Sequence, residues 1–332
     1  MRSFDQMRPE GEYRQVLLQR ETDGSAFYQA HHDSFIETGC PACGTPGIFS
    51  FRKFGFSHKT CPKCSTLFCS PRPVDSQISL YYTTYQAPEL WTRLLLKADK
   101  QRKILQHTPR VEKIVSIIRS KGLKKGGTAL DLGAGSGAFA TCLKNSGFFE
   151  DTIALDISDS CVTACKNSGL TAWKGSIADV KSASLDLICM NDLIEHVFNP
   201  ADLLSECRRA LNQGGFLAIA TPNGEGFDFK ILKENTKNIT PPEHLNYFNP
   251  ESMKILLENA GFTPVVVETP GILDVDMIRK ERESGFPLKE KNEYLDYLFG
   301  LDPEILDDFQ QFISRNRLSS HMLVIAQKKE EI

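Results

Sequence analysis

Four cysteines stand as two pairs, Cys40-Pro-Ala-Cys43 and Cys61-Pro-Lys-Cys64, with 17 residues between the pairs. Each pair can offer two thiolates from one turn, and two pairs complete a closed tetrahedral site. The spacing therefore predicts a structural zinc ion held by Cys40, Cys43, Cys61 and Cys64. Such a site keeps no open position for chemistry. Further along, Asp131-Leu-Gly133-Ala134-Gly135-Ser-Gly137 ends a short apolar run and leads into helical text, and Asp156 follows 19 residues after Gly137. Glycines there allow a tight turn and a close ligand approach, and a carboxylate in the position of Asp156 can accept both hydroxyls of a ribose. A third group is richer in titratable side chains: Asp192, Glu195 and His196 form D-x-x-E-H, and Glu243 and His244 lie in Pro-Pro-Glu-His-Leu-Asn-Tyr-Phe. A histidine that titrates near neutral pH suits a general base. A loop-capping histidine is the plainer reading of His244.

The elements that must position these groups alternate. Strand-like runs at 128–132, 152–155, 170–173, 185–190, 216–220, 264–267 and 322–326 are separated by helical text. Asn199-Pro200 and Asn249-Pro250 are helix starts with Asn as N-cap and Pro at the first helical position. Strands alternating with helices imply an α/β fold with a Rossmann-like, doubly wound parallel sheet, which binds ligands beyond the carboxyl ends of its strands. The organisation expected is an extension over 1–37 without clear periodicity and partly helical, a zinc ribbon over 38–75, a helical connector or lid over 76–126, and the α/β domain over 127–332. Helix-like acidic text at about 270–318 reads as an insertion in that domain. The other five cysteines of the α/β text, Cys142, Cys161, Cys165, Cys189 and Cys207, read as core. Cys69 and His58 are spare ligand candidates beside the ribbon.

Two cofactors fit the glycine loop, because Gly133, Gly135 and Ala138 also satisfy the dinucleotide pattern G-x-G-x-x-A. Asp131 favours S-adenosylmethionine, whose amino and sulfonium groups are cationic. The chain has no Tyr-x-x-x-Lys, the signature of short-chain dehydrogenase chemistry.

From Ala129 onward the text resembles class I S-adenosylmethionine-dependent methyltransferases of the ubiquinone-biosynthesis and sugar-methyltransferase type. The strings DLGAGSG, ALDIS, NDLIEHVFNPADLLSECRRALNQGGFLAIATPN and PPEHLNYFNPESMKILLENAGF carry the resemblance in order. It implies a seven-stranded sheet with an antiparallel seventh strand. By position it places Asp131, Gly133, Gly135 and Gly137 at the methionine end, Asp156 at the ribose, and Ser176 and Ile177 at the adenine, with Ala134, Ile157 and Asn191 among the cofactor-binding residues. Many relatives carry Asp where this chain has Ser176. The Glu-His-x-x-Tyr-Phe string resembles an acceptor-site segment in which the His is the base and Glu243 orients it or meets substrate. The D-x-x-E-H positions match an E-x-x-E-H that binds a divalent metal in ubiquinone O-methyltransferases, while most relatives use Glu195 and His196 only as capping and pocket-lining residues. A Cys-rich front followed by Pro71-Arg-Pro73 and Tyr81-Tyr82 occurs in sugar C-methyltransferases and adds Tyr82 to the catalytic candidates.

Charge is uneven: residues 1–37, 38–126 and 127–332 carry −3, +12 and −12. A basic middle segment suits a phosphate-bearing partner, either a small molecule or RNA, and solvated Lys-rich helices account for part of it. The leading expectation is methylation of a carbon or oxygen on a small acceptor such as a nucleotide-linked sugar or glycan precursor. An RNA methyltransferase that reads RNA through the interleaved Phe and basic residues of 48–56 is the second. A zinc-ribbon adaptor without chemistry is the third. The run after the fourth strand lacks the [Asp/Asn/Ser]-Pro-Pro-aromatic string of nucleobase amine methyltransferases. The first residues lack a signal-peptide pattern and no segment has the apolar length of a membrane span, so a cytoplasmic location is expected.

Overall fold

The computed structural model describes residues 4–283 and 293–330. Seven strands form one sheet: β4 (Thr128–Leu132), β5 (Asp151–Asp156), β6 (Thr171–Lys174), β7 (Leu185–Asn191), β8 (Leu211–Pro222), β10 (Phe262–Glu268) and β11 (His321–Lys328), in the order β10-β11-β8-β7-β4-β5-β6. All neighbours run parallel except β11, which is antiparallel to both β8 and β10. The central strands are continuous apolar runs because helices cover both faces. Leu130, Ile188, Leu217 and Val324 pack on one side, and Ala129, Leu187, Phe216 and Ile325 on the other.

Helix ends follow local chemistry. Asn199 accepts a hydrogen bond from the Ala201 N–H, and Asn249 accepts from Glu251 and Ser252, each with Pro at the first helical position. Gly214-Gly215 lies inside β8, because the helix Pro200–Ala210 ends at Ala210 and passes straight into strand.

A second sheet contains β1 (Ile48–Lys53), β2 (Phe56–Thr60) and β3 (Leu67–Cys69), and its fourth strand comes from far along the chain. That strand is β9 (Asn246–Tyr247), with Leu67 opposite Tyr247 and Phe68 opposite Asn246. Two residues of pairing carry no readable period, so no local signal marks this strand.

The extension contains a 22-residue helix, Glu10–His31. Its buried face holds Tyr13, Val16 and Phe27 together with Arg20, Asp23 and Gly24, which interrupts any apolar stripe. The Asp23 carboxylate accepts the N–H groups of Gln86 (2.9 Å) and Ala87 (2.7 Å) at the start of the helix Ala87–Lys97. A Cβ on Gly24 would lie 2.7 Å from the Pro241 carbonyl oxygen, so glycine permits the close approach of this helix to the 241–244 loop. Phe27, Phe56, Cys69, Ile78, Tyr81 and Leu245 then form one core joining helix, ribbon, connector and loop.

Within the expected insertion stand the helices Asp274–Glu283, Glu293–Phe299 and Pro303–Arg315, while 284–292 lie outside the described residues. No described helix is long and apolar enough to cross a membrane.

Candidate functional site

The four cysteines of the ribbon converge. Sulfur separations are 3.5 Å for Cys40–Cys64, 3.5 Å for Cys43–Cys61 and 3.6 Å for Cys43–Cys64. Zinc–sulfur bonds of about 2.3 Å in a tetrahedron place sulfurs about 3.8 Å apart, so the set fits a zinc ion. The spare candidates stand apart: Cys69 Sγ lies 3.3 Å from His58 Nε2, both side chains are buried, and burial pushes the imidazole down to about 3.

The glycine loop joins β4 to the helix Ala138–Asn145, with Gly133, Gly135 and Gly137 all at positive φ. A Cβ at Gly135 would meet nothing within 4 Å, so the turn borders open space that a ligand can enter. Asp156 closes β5. Its Oδ2 accepts the Gly135 N–H at 2.9 Å and its Oδ1 the Ser158 N–H at 2.9 Å, which fixes the carboxylate and leaves lone pairs for hydroxyls. Asp131 is fully buried, and desolvation is the main reason its carboxyl is pushed up to about 7. Asn191 Nδ2 donates to Asp131 Oδ1 at 3.5 Å.

The remaining cofactor positions differ in character. Ile157 is largely exposed, whereas the Ile177 side chain is packed in the core and leaves only its main chain for a ligand. The Ser176 N–H (2.7 Å) and hydroxyl (3.2 Å) both donate to Asp179, so the loop already supplies a carboxylate three residues after the position where many relatives carry one. The Ala134 side chain packs against the cluster of Ala140, Ala154 and Cys165.

His244, His196, Glu195, Glu243 and Tyr82 come together beyond β7 and β8. His244 Nδ1 lies 2.8 Å from the Asn238 carbonyl and His196 Nδ1 2.8 Å from the Glu243 carbonyl. A carbonyl oxygen only accepts, so each Nδ1 carries the proton and each Nε2 keeps its lone pair. Tyr82 Oη lies 2.9 Å from the same Nδ1 of His196, and the His196 and His244 rings are 4.6 Å apart, edge to face. Burial, with His196 and Arg20 adding to it, pushes His244 well below the usual imidazole range. Glu243 is held elsewhere: Arg20 Nε and Nη2 donate to its Oε1 (3.0 Å) and Oε2 (2.6 Å), and Tyr81 Oη is 3.4 Å from Oε1. This ion pair is buried, so loss of either partner strands a charge at a cost of about 3–5 kcal/mol.

The metal set that the D-x-x-E-H resemblance implied does not assemble from Asp192, whose Oδ1 faces His321 Nε2 at 3.0 Å. Ligand-type atoms of Glu195, His196 and His244 instead lie within 4.8 Å of one another. Glu195 Oε2 accepts from Thr221 Oγ1 at 2.8 Å, and its buried Oε1 has no partner. Two imidazoles oriented by carbonyl oxygens and one carboxylate oxygen are a donor set that can take a divalent cation.

Arg20, Tyr81, Asn238, Thr221, His321 and Arg110, whose Nη1 donates to Asn191 Oδ1 at 2.7 Å, had no motif to mark them. Only the doubled Tyr81-Tyr82 pointed near one of them.

One expected result follows from Asp131. A cationic ligand group needs its ionised form, and a carboxyl at about 7 is half protonated at that pH. S-adenosylmethionine affinity is expected to be flat from pH 8 toward 7 and then to fall by up to about tenfold per unit toward pH 5.5. Calorimetric affinity unchanged between pH 7.5 and 5.5 would remove the ammonium contact from Asp131.

Comparison with known proteins bears on the family. A family profile described as a methyltransferase domain matches residues 98–267. The chain is 31% identical over 107 residues to the ubiquinone biosynthesis O-methyltransferase of Methylococcus capsulatus, covering 30% of this chain and 44% of that protein. It is 26% identical over 155 residues to the same-named protein of Roseobacter denitrificans, covering 42% and 62%. These matches span about half the length of the curated relatives. Among solved structures, phosphoethanolamine N-methyltransferase 2 of Haemonchus contortus with S-adenosyl-L-methionine superposes with a TM-score of 0.44 at 18% identity, covering 66% of this chain and 53% of that one.

Proposed function

Because the chain belongs to the class I S-adenosylmethionine-dependent methyltransferases, we propose that it methylates an oxygen or carbon of a small phosphate-bearing acceptor, such as a nucleotide-linked sugar or glycan precursor, with His244 as base. The observation that carries this reading is the free Nε2 of His244, whose Nδ1 is fixed on the Asn238 carbonyl. The bound cofactor supplies an electrophilic methyl group on a sulfonium. The chain has to align an acceptor against it and take up a proton. An acceptor oxygen becomes strongly acidic as it gains the methyl group, so a neutral imidazole of low pKa suffices. His196 walls the same recess and Tyr82 can donate to the acceptor, while the Arg20–Glu243 pair fixes the loop that carries His244.

Charge supports the phosphate. The basic segment 38–126 reaches the acceptor loop directly, with Arg72 Nη1 donating to Asn246 Oδ1 at 2.7 Å and Tyr81 contacting Glu243. The RNA reading has its own support in Ile48 and Phe49, both exposed on β1 at the open edge of the ribbon sheet.

Labelled methyl transferred from S-adenosylmethionine into a cell extract, with and without RNase, tests both. Label in small-molecule fractions that survives RNase is expected. Label confined to RNA would overturn the small-acceptor reading, and no transfer by zinc-loaded protein that binds cofactor would favour the adaptor.

A further inference from the structure

A carboxylate that the acceptor reading does not use stands two hydrogen bonds behind His244. Asp228 lies in the short helix Phe227–Leu232 and is fully buried. Its Oδ1 accepts the Phe229 N–H at 2.8 Å, and its Oδ2 accepts the Thr236 hydroxyl and, at 2.7 Å, Asn238 Nδ2. Burial, with a smaller push from Asp274, moves this carboxyl up to about 6, so at neutral pH it is largely ionised and can only accept. The Asn238 side chain must therefore present its N–H to Asp228, and the carbonyl of the same residue receives His244 Nδ1.

Asp228 is itself tied to the large sheet. Its N–H donates to Ser320 Oγ at 2.9 Å, and the Ser320 N–H donates to Asp274 Oδ1 at 2.6 Å, just before β11 begins at His321. On the ribbon side, Lys53 Nζ donates to the Thr236 carbonyl at 2.8 Å. The turn 236–238 is thus clamped between sheet and ribbon. The main chain of His244 has separate supports: its N–H donates to the Thr240 carbonyl at 3.2 Å, and its carbonyl accepts from Tyr247 Oη at 2.9 Å. What the Asn238 carbonyl adds is the tautomer, because an acceptor at Nδ1 keeps the proton there and the lone pair on Nε2.

A buried carboxylate is costly, and a turn that needed only closing could be closed by neutral side chains. A fixed group that aligns the partner of an imidazole is how outer residues orient working histidines. We infer that Asp228 is a positioning residue, which acts through Asn238 to hold His244 with its proton on Nδ1 and its Nε2 open to the acceptor. The tautomer belongs to the fold, but its value for turnover rests on His244 being the base.

Two measurements on the full zinc-loaded chain test this. Proton–nitrogen correlation spectra with isotope-labelled histidine read the tautomer, the His244 signals being identified by their loss in His244→Ala. Label transfer from S-adenosylmethionine into the RNase-resistant small-molecule fraction of a cell extract reads the rate. The wild type should show the Nδ1–H form alone. Asp228→Ala should show both neutral forms and lower transfer by about 10- to 100-fold, the range for outer partners that orient an imidazole, and Asp228→Asn, which keeps one acceptor oxygen, by less. Asn238→Ala should reproduce Asp228→Ala, and the double variant should lose no more than either alone, since residues in one chain of hydrogen bonds do not act additively. S-adenosylhomocysteine affinity should stay at the wild-type value throughout. A wild type protonated on Nε2, or an Asp228→Ala protein that keeps the Nδ1–H form alone, overturns the inference. Losses that multiply in the double variant also overturn it, because Asp228 would then act by another route. If the tautomer spreads in Asp228→Ala while transfer continues at the wild-type rate, Asp228 keeps its role and His244 is not the base.

Discussion

Replacing His244 by Ala is expected to lower methyl transfer by about 100- to 10,000-fold, the range for a positioned acid–base group, with S-adenosylhomocysteine binding unchanged. The side chain lies in the loop between β8 and β9, and its hydrogen bond and ring contacts are to Asn238, His196 and Tyr247, away from the glycine loop and Asp156. Its hydrogen bond to Asn238 is a single link, contributing about 0.5–1.5 kcal/mol, so a purely structural role would lower thermal stability and alter turnover only modestly. The pH profile separates the roles again. An ordinary imidazole would lose activity as pH falls through about 6.5. Here burial and the neighbouring His196 and Arg20 depress the pKa, so the neutral base persists and the acid limb should begin well below 6.5. More than a tenth of wild-type turnover in His244→Ala would move the assignment to Glu195 and Tyr82.

Removing zinc is the second large effect. Chelation, or Cys61→Ser, should strip one zinc per chain and unfold the ribbon, since binding free energies of about 10–16 kcal/mol at such sites are folding free energy. The acceptor side should fail with it. Strand β3 pairs with β9 two residues beyond His244, Asn249 Nδ2 donates to the Cys64 carbonyl at 2.8 Å, and Cys69 N–H donates to the Leu245 carbonyl at 2.9 Å. Cofactor affinity should persist, because Asp131, Gly135 and Asp156 hold one another within the large sheet. Elemental analysis, cofactor titration and turnover on the same chelated sample check this. Full turnover without zinc would detach the ribbon from the acceptor loop.

The large sheet was legible because its signals are local. Its strands are short apolar runs, β4 closed by Gly133 and β5 by Asp156, and Asn199 and Asn249 announce their helices. The zinc set and glycine loop were legible for the same reason: their residues lie within short spacings. What escaped was formed by long-range polar contacts. Arg20 meets Glu243 across 223 positions, and the helix that carries it buries Arg20, Asp23 and Gly24 where a stripe of leucines would have revealed a face. Asp192 belonged to D-x-x-E-H by spacing, yet its positive φ and the nearby β11 turn it to His321, and His244 takes its place beside Glu195 and His196. Arg110 sits in text whose helical period is broken at the π-helical turn Lys103–His107, so its direction could not be read.

The pairing of β3 with β9 also orders events in time. All four zinc ligands are synthesised before residue 70, so the ribbon can load metal early. Its edge strand Leu67–Cys69 must then wait for Asn246 and Tyr247, nearly 180 residues later. At roughly 5–20 residues per second, that is on the order of 10–40 s of synthesis with an unpaired strand, an exposed Phe68 and no acceptor loop. Unpaired strand edges invite association between chains. Lys59, Lys63 and Arg72 stand around the ribbon, and charges beside an open strand edge oppose such association.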